Sequence, residues 1–250
     1  GGVFERIFGL ADAENVKVAG LSLISGGPMT ALNTLQIDTG DNPETTIIWL
    51  HGLGASGHDF EPVVPEFRFS REKPVRFIFP HAPELPVTIN GGYVMPAWYD
   101  ILAMDVDRKV DAEQLRASAA MVAELIRQER ERGIASENNI LGGFSQGGAV
   151  AYELALSYPE RLGGLFALST YFATADSIEL SEANRQLPVF IAHGRFDQVV
   201  AEHLGQAAAQ KLQELGYEPE YHAYGMEHSL CLEEIRDLDV FLAKRVAGAK

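Results

Sequence analysis

Residues 141–150 read LGGFSQGGAV, and within them a single serine, Ser145, stands among four glycines. A flexible linker would account for the glycines alone. However, apolar residues typical of a buried strand precede the serine, and a helix-like run follows it. Residues 143–147 match the G-x-S-x-G pattern of a nucleophile elbow, in which a sharp strand-to-helix turn exposes a serine hydroxyl. The stretch therefore predicts a strand, a tight turn and a helix.

The glycines of this stretch have a physical explanation. The elbow holds its serine in a strained backbone conformation, at a cost of about 1–3 kcal/mol. Side chains at positions 143 and 147 would collide where strand and helix approach each other, and Gly148 allows the helix to begin close to the sheet. The helix N-terminus then favours negative charge beside Ser145. The alternative is a glycine-rich turn with an idle serine, so the interpretation depends on partners for Ser145 elsewhere in the chain.

Strand-like and helix-like segments alternate along the rest of the chain. The predicted strands are 45–50, 75–80, 138–144, 163–170, 187–194 and 218–225, and the predicted helices are 111–133, 147–158, 200–216 and 229–248. We expect Asp111 to cap its helix, and residues 81–99 to form a loop rich in glycine and proline. Alternation of this kind, with solidly apolar strands, predicts an α/β fold whose mostly parallel sheet is covered by helices on both faces.

Composition narrows the class of protein. The chain has 250 residues, 46% of them hydrophobic, which suits one large domain. With 20 basic and 35 acidic residues, its formal net charge of −15 disfavours nucleic acid and anionic lipid as partners. The single cysteine, Cys231, excludes an internal disulfide framework and suits a reducing compartment, so we expect a cytoplasmic protein. No apolar run approaches the roughly 20 residues of a membrane span, and a homodimer is left open.

Polar residues follow the predicted strands at the edge where α/β proteins place their active groups. Ser145, Asp197 and His228 each follow a different strand, in the chain order Ser, Asp, His. A serine hydroxyl is a poor nucleophile at neutral pH and needs a neighbouring base. An aspartate that accepts a hydrogen bond from the imidazole would fix the tautomer of that base. Asp176 is the rival acid, but it lies well past the end of its strand.

Seven histidines compete for the role of base. The chain order excludes those before Asp197, which are His51, His58, His81 and His193. His203 falls within a predicted helix and His222 within a predicted strand. His228 alone lies in a loop between the last strand and the last helix, so it is the predicted base. His58 and His81 lack further ligands at metal-binding spacing, so no metal is expected.

An oxyanion formed at Ser145 needs two aimed donors. The backbone N–H of Gln146, directly after the serine, is one candidate. The other is the backbone N–H of Leu53, in the loop HGLG at residues 51–54. We expect His51 to hold this loop by hydrogen bonding, and Cys231 to be a core residue of the last helix rather than a nucleophile.

From about residue 45 onward, the chain resembles the phospholipase/carboxylesterase family, which includes bacterial carboxylesterases and acyl-protein thioesterases. The motifs that carry the resemblance are WLHGLGASGHDF (49–60), FPHAPELPVTINGGYVMPAWYDI (79–101), GGFSQGGAVA (142–151), ALSTY (167–171), HGRFDQVV (193–200) and YGMEHSL (224–230). The resemblance implies an α/β-hydrolase fold with a triad of Ser145, Asp197 and His228. It also implies oxyanion donors at Leu53 and Gln146, and a substrate-side loop at 85–99.

Residues 1–28 do not share the resemblance. We interpret them as an N-terminal extension or added segment without an assigned function, and residues 29–250 as one α/β-hydrolase domain. The acidic residues Glu5, Asp12 and Glu14 argue against a signal peptide. Whether the segment adds an edge strand to the sheet is left open.

These observations predict a serine carboxylesterase that hydrolyses short- to medium-chain esters of small molecules through an acyl-enzyme on Ser145, without a cofactor. Leu53, Met95 and Trp98 are the expected acyl-binding residues, although Met95 and Trp98 could equally be loop packing. An acyl-protein thioesterase or a lysophospholipase would use the same triad. A hydrolase fold that only binds a ligand is the alternative of another class, and a peptidase is the weakest alternative.

Overall fold

A central sheet organises the protein, whose computed structural model describes residues 17–19, 31–103 and 108–249. The strands in chain order are β1 (Lys17–Ala19), β2 (Thr34–Asp38), β3 (Thr45–Leu50), β4 (Val75–Pro80), β5 (Glu84–Val87), β6 (Tyr93–Pro96), β7 (Ile101–Ala103), β8 (Lys109–Val110), β9 (Asn139–Phe144), β10 (Gly164–Leu168), β11 (Val189–Gly194) and β12 (Glu220–Tyr224). The main sheet has the order β1-β2-β4-β3-β9-β10-β11-β12. Pairing is antiparallel from β1 through β2 to β4 and parallel across the remaining strands.

Helices cover both faces of this sheet. They are α1 (Phe69–Glu72), α2 (Ala112–Glu131), α3 (Gln146–Ser157), α4 (Glu202–Glu214) and α5 (Leu232–Ala243), with a 3₁₀ segment at Gly57–Glu66. One hydrophobic core joins α2, α3 and α4 to one face, and a second joins α1, α5 and the 3₁₀ segment to the other. Along β3 the buried side chains alternate between the cores, with Ile48 in the first and Trp49 in the second. The predicted α/β class and the helices on both faces are confirmed.

Local signals in the sequence mark several boundaries correctly. Asp111 caps α2, because its Oδ1 accepts a hydrogen bond of 2.9 Å from the backbone N–H of Gln114. The last helix begins later than predicted, at Leu232. Cys231 is therefore the N-cap residue of α5 and does not lie inside the helix.

Several short elements were not predicted from the sequence, among them β7, β8, α1 and the 3₁₀ segment at Gly57–Glu66. The predicted loop at 81–99 contains an antiparallel hairpin of β5 and β6, and β2 was not predicted. β1, which falls within residues 1–28, pairs with β2 at the edge of the sheet. The other residues from 1 to 28 lie outside the described part of the chain.

Candidate active site

Ser145 occupies the turn between β9 and α3. Its backbone angles are φ 55° and ψ −121°, a conformation that residues other than glycine rarely adopt. A Cβ atom on Gly143 would lie 2.3 Å from the backbone of Gly147, and one on Gly147 would lie 2.5 Å from the carbonyl oxygen of His51. Both positions therefore exclude side chains, as the sequence pattern predicted.

Hydrogen bonds hold this turn in place. The backbone N–H of Ser145 donates to the carbonyl of Leu168 at 2.9 Å. The Ser145 carbonyl accepts from the Thr170 hydroxyl at 2.5 Å and from the Gly148 N–H at 2.9 Å. The strained residue is thus fixed both by β10 and the turn after it and by the first turn of α3.

His228 and Asp197 come together at the carboxyl ends of neighbouring strands. His228 Nδ1 lies 2.7 Å from Asp197 Oδ2, in the geometry of an N–H donating to a carboxylate. The other carboxylate oxygen, Oδ1, accepts from the backbone N–H groups of Val199 at 2.9 Å and Val200 at 2.8 Å. Three donors therefore fix the orientation of a buried acid.

The electrostatic state of Asp197 follows from these contacts. Burial disfavours the charged form, but the hydrogen bond and charge of His228, together with the N–H groups of Val200 and Val199, outweigh it. The pKa of Asp197 is consequently below its ordinary value. Asp197 is an anion at neutral pH, which suits an acceptor for the imidazole N–H.

Ser145 and His228 line one cavity of about 300 Å³. Most of the other lining residues are apolar, and Asp59 and Ser229 are the polar exceptions. The full set is Gly52, Leu53, Ala55, Asp59, Phe60, Phe144, Val199, Ser229 and Leu230. The ring of Phe144 lies 4.7 Å from that of His228 and forms part of the wall. An apolar cavity with a few convergent polar groups is the usual form of a small-molecule site.

The backbone N–H groups of Leu53, in the cavity wall, and of Gln146, directly after Ser145, are available as donors. Within the described residues, neither the Leu53 nor the Gln146 N–H donates to a protein acceptor, whereas the adjacent Gly54 N–H donates to Pro96 at 2.8 Å. The Gln146 side chain is used differently. Its Oε1 accepts from the Trp98 N–H at 2.7 Å, and its Nε2 donates to the Tyr99 carbonyl at 2.7 Å. The first residue of α3 thereby fastens the segment after β6.

His51 supports the loop that carries Leu53. Its Nε2 accepts from the Ala82 N–H at 3.0 Å, so the ring proton is on Nδ1, which lies 2.7 Å from the Gly52 carbonyl. Burial lowers the pKa of His51, consistent with a neutral ring. The role expected for His51, holding the loop by hydrogen bonds, agrees with this geometry.

Of the three residues predicted to bind an acyl group, the cavity wall contains Leu53 but neither Met95 nor Trp98. Trp98 has no exposed surface, and its Nε1–H donates to the His51 carbonyl at 2.8 Å. Its ring belongs to the core on the α2 side of the sheet. The structure places Trp98 behind the site, as a support for the loop at 51–54.

The aromatic and aliphatic wall of the cavity, which is supplied by Phe60, Phe144 and Leu230, was not predicted from the sequence. Phe144 precedes the serine in the elbow motif and Leu230 follows His228 by two positions, so proximity to those residues was an available signal. Phe60 offered a weaker one, at the end of the motif that contains Leu53.

The rejected candidates lie elsewhere. The Asp176 side chain is almost fully exposed and sits 3.6 Å from Lys211. His222 stacks on Phe190 with ring centroids 4.9 Å apart. His58 and His81 face each other at 5.3 Å, but no group of three or more metal-ligating side chains occurs in the described part of the chain. None of the described helices is long and apolar enough to cross a membrane.

Fold and site together define an α/β-hydrolase with the groups required for acyl transfer. A sequence profile described as phospholipase/carboxylesterase matches residues 33–246. Acyl-protein thioesterase 1 of Neurospora crassa is 39% identical over 212 residues, covering 80% of this chain and 86% of that protein. Carboxylesterase SOBER1 of Arabidopsis thaliana is 36% identical over 210 residues, covering 82% and 92%.

Solved structures give the same result. The crystal structure of Arabidopsis thaliana SOBER1 superposes with a TM-score of 0.74 at 33% identity, covering 80% of this chain and 98% of that one. Acyl-protein thioesterase 2 of Zea mays gives a TM-score of 0.74 at 27% identity, covering 85% and 98%. The chain belongs to the phospholipase/carboxylesterase family and is a hydrolase of ester bonds.

Proposed function

We propose that this protein is a serine carboxylesterase that hydrolyses short- to medium-chain esters through an acyl-enzyme on Ser145. The observation that carries the proposal is the shared cavity of Ser145 and His228, with Asp197 2.7 Å behind the imidazole. Each group required for nucleophilic catalysis is present, which argues against a hydrolase fold used only for binding.

In the proposed mechanism, His228 Nε2 accepts the hydroxyl proton as Ser145 Oγ attacks the ester carbonyl carbon. The carbonyl π bond becomes an oxyanion, which accepts hydrogen bonds from the N–H groups of Leu53 and Gln146. The oxyanion then reforms the carbonyl as the bond to the alcohol oxygen breaks, and the imidazolium protonates that oxygen. Water, deprotonated by the same imidazole, cleaves the acyl-enzyme by the reverse sequence and returns the proton to Ser145. No cofactor enters these steps.

The cavity supports a restricted acyl length. Its volume of about 300 Å³ is at the lower end of the range of about 300–1,000 Å³ for small-molecule sites. The apolar wall of Leu53, Phe60, Phe144 and Leu230 suits an acyl chain, and the net charge of −15 disfavours nucleic acid as a partner. We further propose that the enzyme acts in the cytoplasm on small-molecule esters.

A second candidate is an acyl-protein thioesterase with the same triad. It is favoured by the similarity to proteins of that name in Neurospora crassa and Zea mays. In this version a thiol rather than an alcohol leaves the tetrahedral intermediate.

A substrate panel tests the proposal. p-Nitrophenyl esters of increasing acyl length are compared with a palmitoyl-thioester peptide, for the wild type and for Ser145→Ala. We expect the highest kcat/KM for short- to medium-chain esters, no hydrolysis by Ser145→Ala, and labelling of the wild type alone by a fluorophosphonate probe. A higher kcat/KM for the palmitoyl thioester would select the second candidate. Labelling of Ser145→Ala would refute the nucleophile.

A further inference from the structure

A second histidine lies directly behind the acid, and the proposed mechanism does not use it. His193, the fifth residue of β11, is completely buried. Its Nε2 lies 2.7 Å from the carbonyl oxygen of Val200 and 3.6 Å from Asp197 Oδ2. Its place before Asp197 in the chain order excludes His193 as the base, and the sequence gives it no other role.

Its partners define the state of this ring. A carbonyl oxygen can only accept, so Nε2 carries the proton and donates to Val200. Nδ1 is buried and makes no hydrogen bond. Burial is the largest influence on the pKa of His193 and lowers it, although the charges of Asp197 and Glu202 act in the opposite direction and that of His228 adds to the lowering. His193 is therefore a neutral donor with a fixed tautomer.

Val200 links this donor to the acid. Its carbonyl accepts from His193, while its N–H donates to Asp197 Oδ1 at 2.8 Å. The preceding carbonyl, of Val199, accepts from Arg108 Nη2 at 2.7 Å. The turn at 197–200 is thus held from both sides. Its N–H groups fix one carboxylate oxygen, which leaves the other directed at His228.

Helix α4 holds the ring itself in place. A Cβ atom on Gly205 would lie 2.4 Å from His193 Nδ1, so the helix backbone packs directly against the imidazole. Helix interiors disfavour glycine by roughly 1 kcal/mol relative to alanine, and this contact gives the physical reason for glycine here. The ring is confined between α4 and the turn, in one orientation.

We infer that His193 is a positioning residue, which holds the Val200 carbonyl and thereby aligns Asp197 with His228. The inference rests on the proposed triad. His193 does not contact the cavity, so its effect on hydrolysis passes through Asp197.

Four variants test this role, with kcat and KM for p-nitrophenyl acetate measured across pH. His193→Phe keeps a planar ring but removes the donor, whereas His193→Gln retains an N–H that can reach Val200. Gly205→Ala pushes on the ring without altering it. His222→Phe is the matched control, because His222 lies one strand away on β12 and stacks on Phe190.

A small misplacement of a catalytic group can cost about 100-fold in rate. We expect a fall in kcat of that order for His193→Phe, with KM little changed and partial recovery in His193→Gln. His222→Phe should match the wild type.

A double-mutant cycle separates positioning from a general structural role. If His193 acts through Asp197, adding His193→Phe to Asp197→Asn should cause almost no further loss. Wild-type kcat in His193→Phe, or a full additional loss in the Asp197→Asn background, would overturn the inference. If His193→Phe does not fold, Gly205→Ala replaces it. Its effect on kcat is then compared in the wild-type and Asp197→Asn backgrounds, and a full loss in both would overturn the inference. Wild-type hydrolysis by Asp197→Asn alone would instead refute the proposed triad.

Discussion

Ser145 combines two costs that its neighbours must offset. Its backbone conformation costs about 1–3 kcal/mol, and its N–H and carbonyl would be unsatisfied in a buried turn without partners. The bonds to Leu168, Thr170 and Gly148 satisfy both groups. Ser145 lines the cavity, and within the described residues the first N–H of α3, that of Gln146, donates to no protein acceptor.

Among single residues, Asp197 gives the most specific prediction. Asp197→Asn keeps the side-chain shape but removes the anion and permits the wrong imidazole tautomer. We expect kcat to fall by about 10⁴, the loss seen for this change in the best-studied serine hydrolase triad. Asp176→Asn is the control, because the Asp176 side chain is almost fully exposed, and it should retain wild-type kcat. Loss of activity in the control with near-normal Asp197→Asn would show that the acid is misassigned.

Asp197 also makes the stability of the folded protein depend on pH, and the direction of this dependence follows from its pKa. Its pKa is lower in the folded protein than in the unfolded chain, so the folded state binds fewer protons in the interval between the two values. The resulting stability is fully present above the unfolded pKa of about 3.9 and is lost as pH falls through the folded pKa. The contacts of Asp197 with His228 and with the N–H groups of Val200 and Val199 are therefore stabilising at neutral pH.

At the scale of elements, the loop at 51–54 and the hairpin of β5 and β6 form one supported unit. Trp98 joins them through its bond to the His51 carbonyl, and Gln146 ties the segment after β6 to the start of α3. The two proposed oxyanion donors are consequently positioned by hydrogen bonds of the His51, Trp98 and Gln146 side chains, and none of these three residues lines the cavity. Preorganised donors of this kind avoid reorganisation during the reaction.

Trp98→Phe tests this interpretation. The change leaves the buried His51 carbonyl without its donor, which should cost about 1–3 kcal/mol in the free energy of unfolding. The preference for acyl length should remain unchanged, since Trp98 does not line the cavity. Leu53→Ala, in the cavity wall, should shift that preference instead. Urea unfolding and the ester panel measure the two effects. If Trp98→Phe changed the acyl preference and left the stability unchanged, Trp98 would be an acyl-binding residue after all.

At the scale of the whole molecule, two cores are separated by one sheet, and the second contains an unusual carboxyl group. Glu234, in the first turn of α5, is completely buried, and neither oxygen makes a well-formed hydrogen bond. Burial raises its pKa well above the ordinary value, and the nearby N–H of Cys231 offsets this only in part. The folded protein therefore keeps Glu234 protonated at a pH where the unfolded chain ionises.

This difference predicts a pH-dependent gain from Glu234→Gln. As pH rises above about 4.3, the ordinary pKa of glutamate, the unfolded wild type releases a proton that the folded state retains, so the wild type loses stability. Glutamine cannot ionise, and the variant should become progressively more stable than the wild type with rising pH. The control Glu233→Gln alters an exposed neighbour and should show little dependence. A stability difference for Glu234→Gln that is constant with pH would contradict the prediction.

Features that depend on neighbours along the chain could be predicted from the sequence. Alternating strands and helices gave the α/β class, Asp111 marked the start of α2, and the glycines around Ser145 marked the elbow. Chain order then selected Asp197 and His228 as partners, because the parallel strands of such a sheet place their carboxyl ends along one edge. These features are local or follow from topology, so each leaves a pattern in the sequence.

Which buried surfaces meet could not be predicted from the sequence and is seen only in the packed fold. Trp98 and Phe144 are both aromatic residues close to motifs, yet one supports a loop from the core and the other lines the cavity. His193 begins the motif HGRFDQVV, but the sequence alone gave it no role, because the role inferred for it depends on Gly205 and Val200 approaching the ring from separate elements. A hydrophobic pattern in the sequence indicates that a side chain is buried. Which residues that side chain contacts depends on the packing of helices and strands that are distant in sequence.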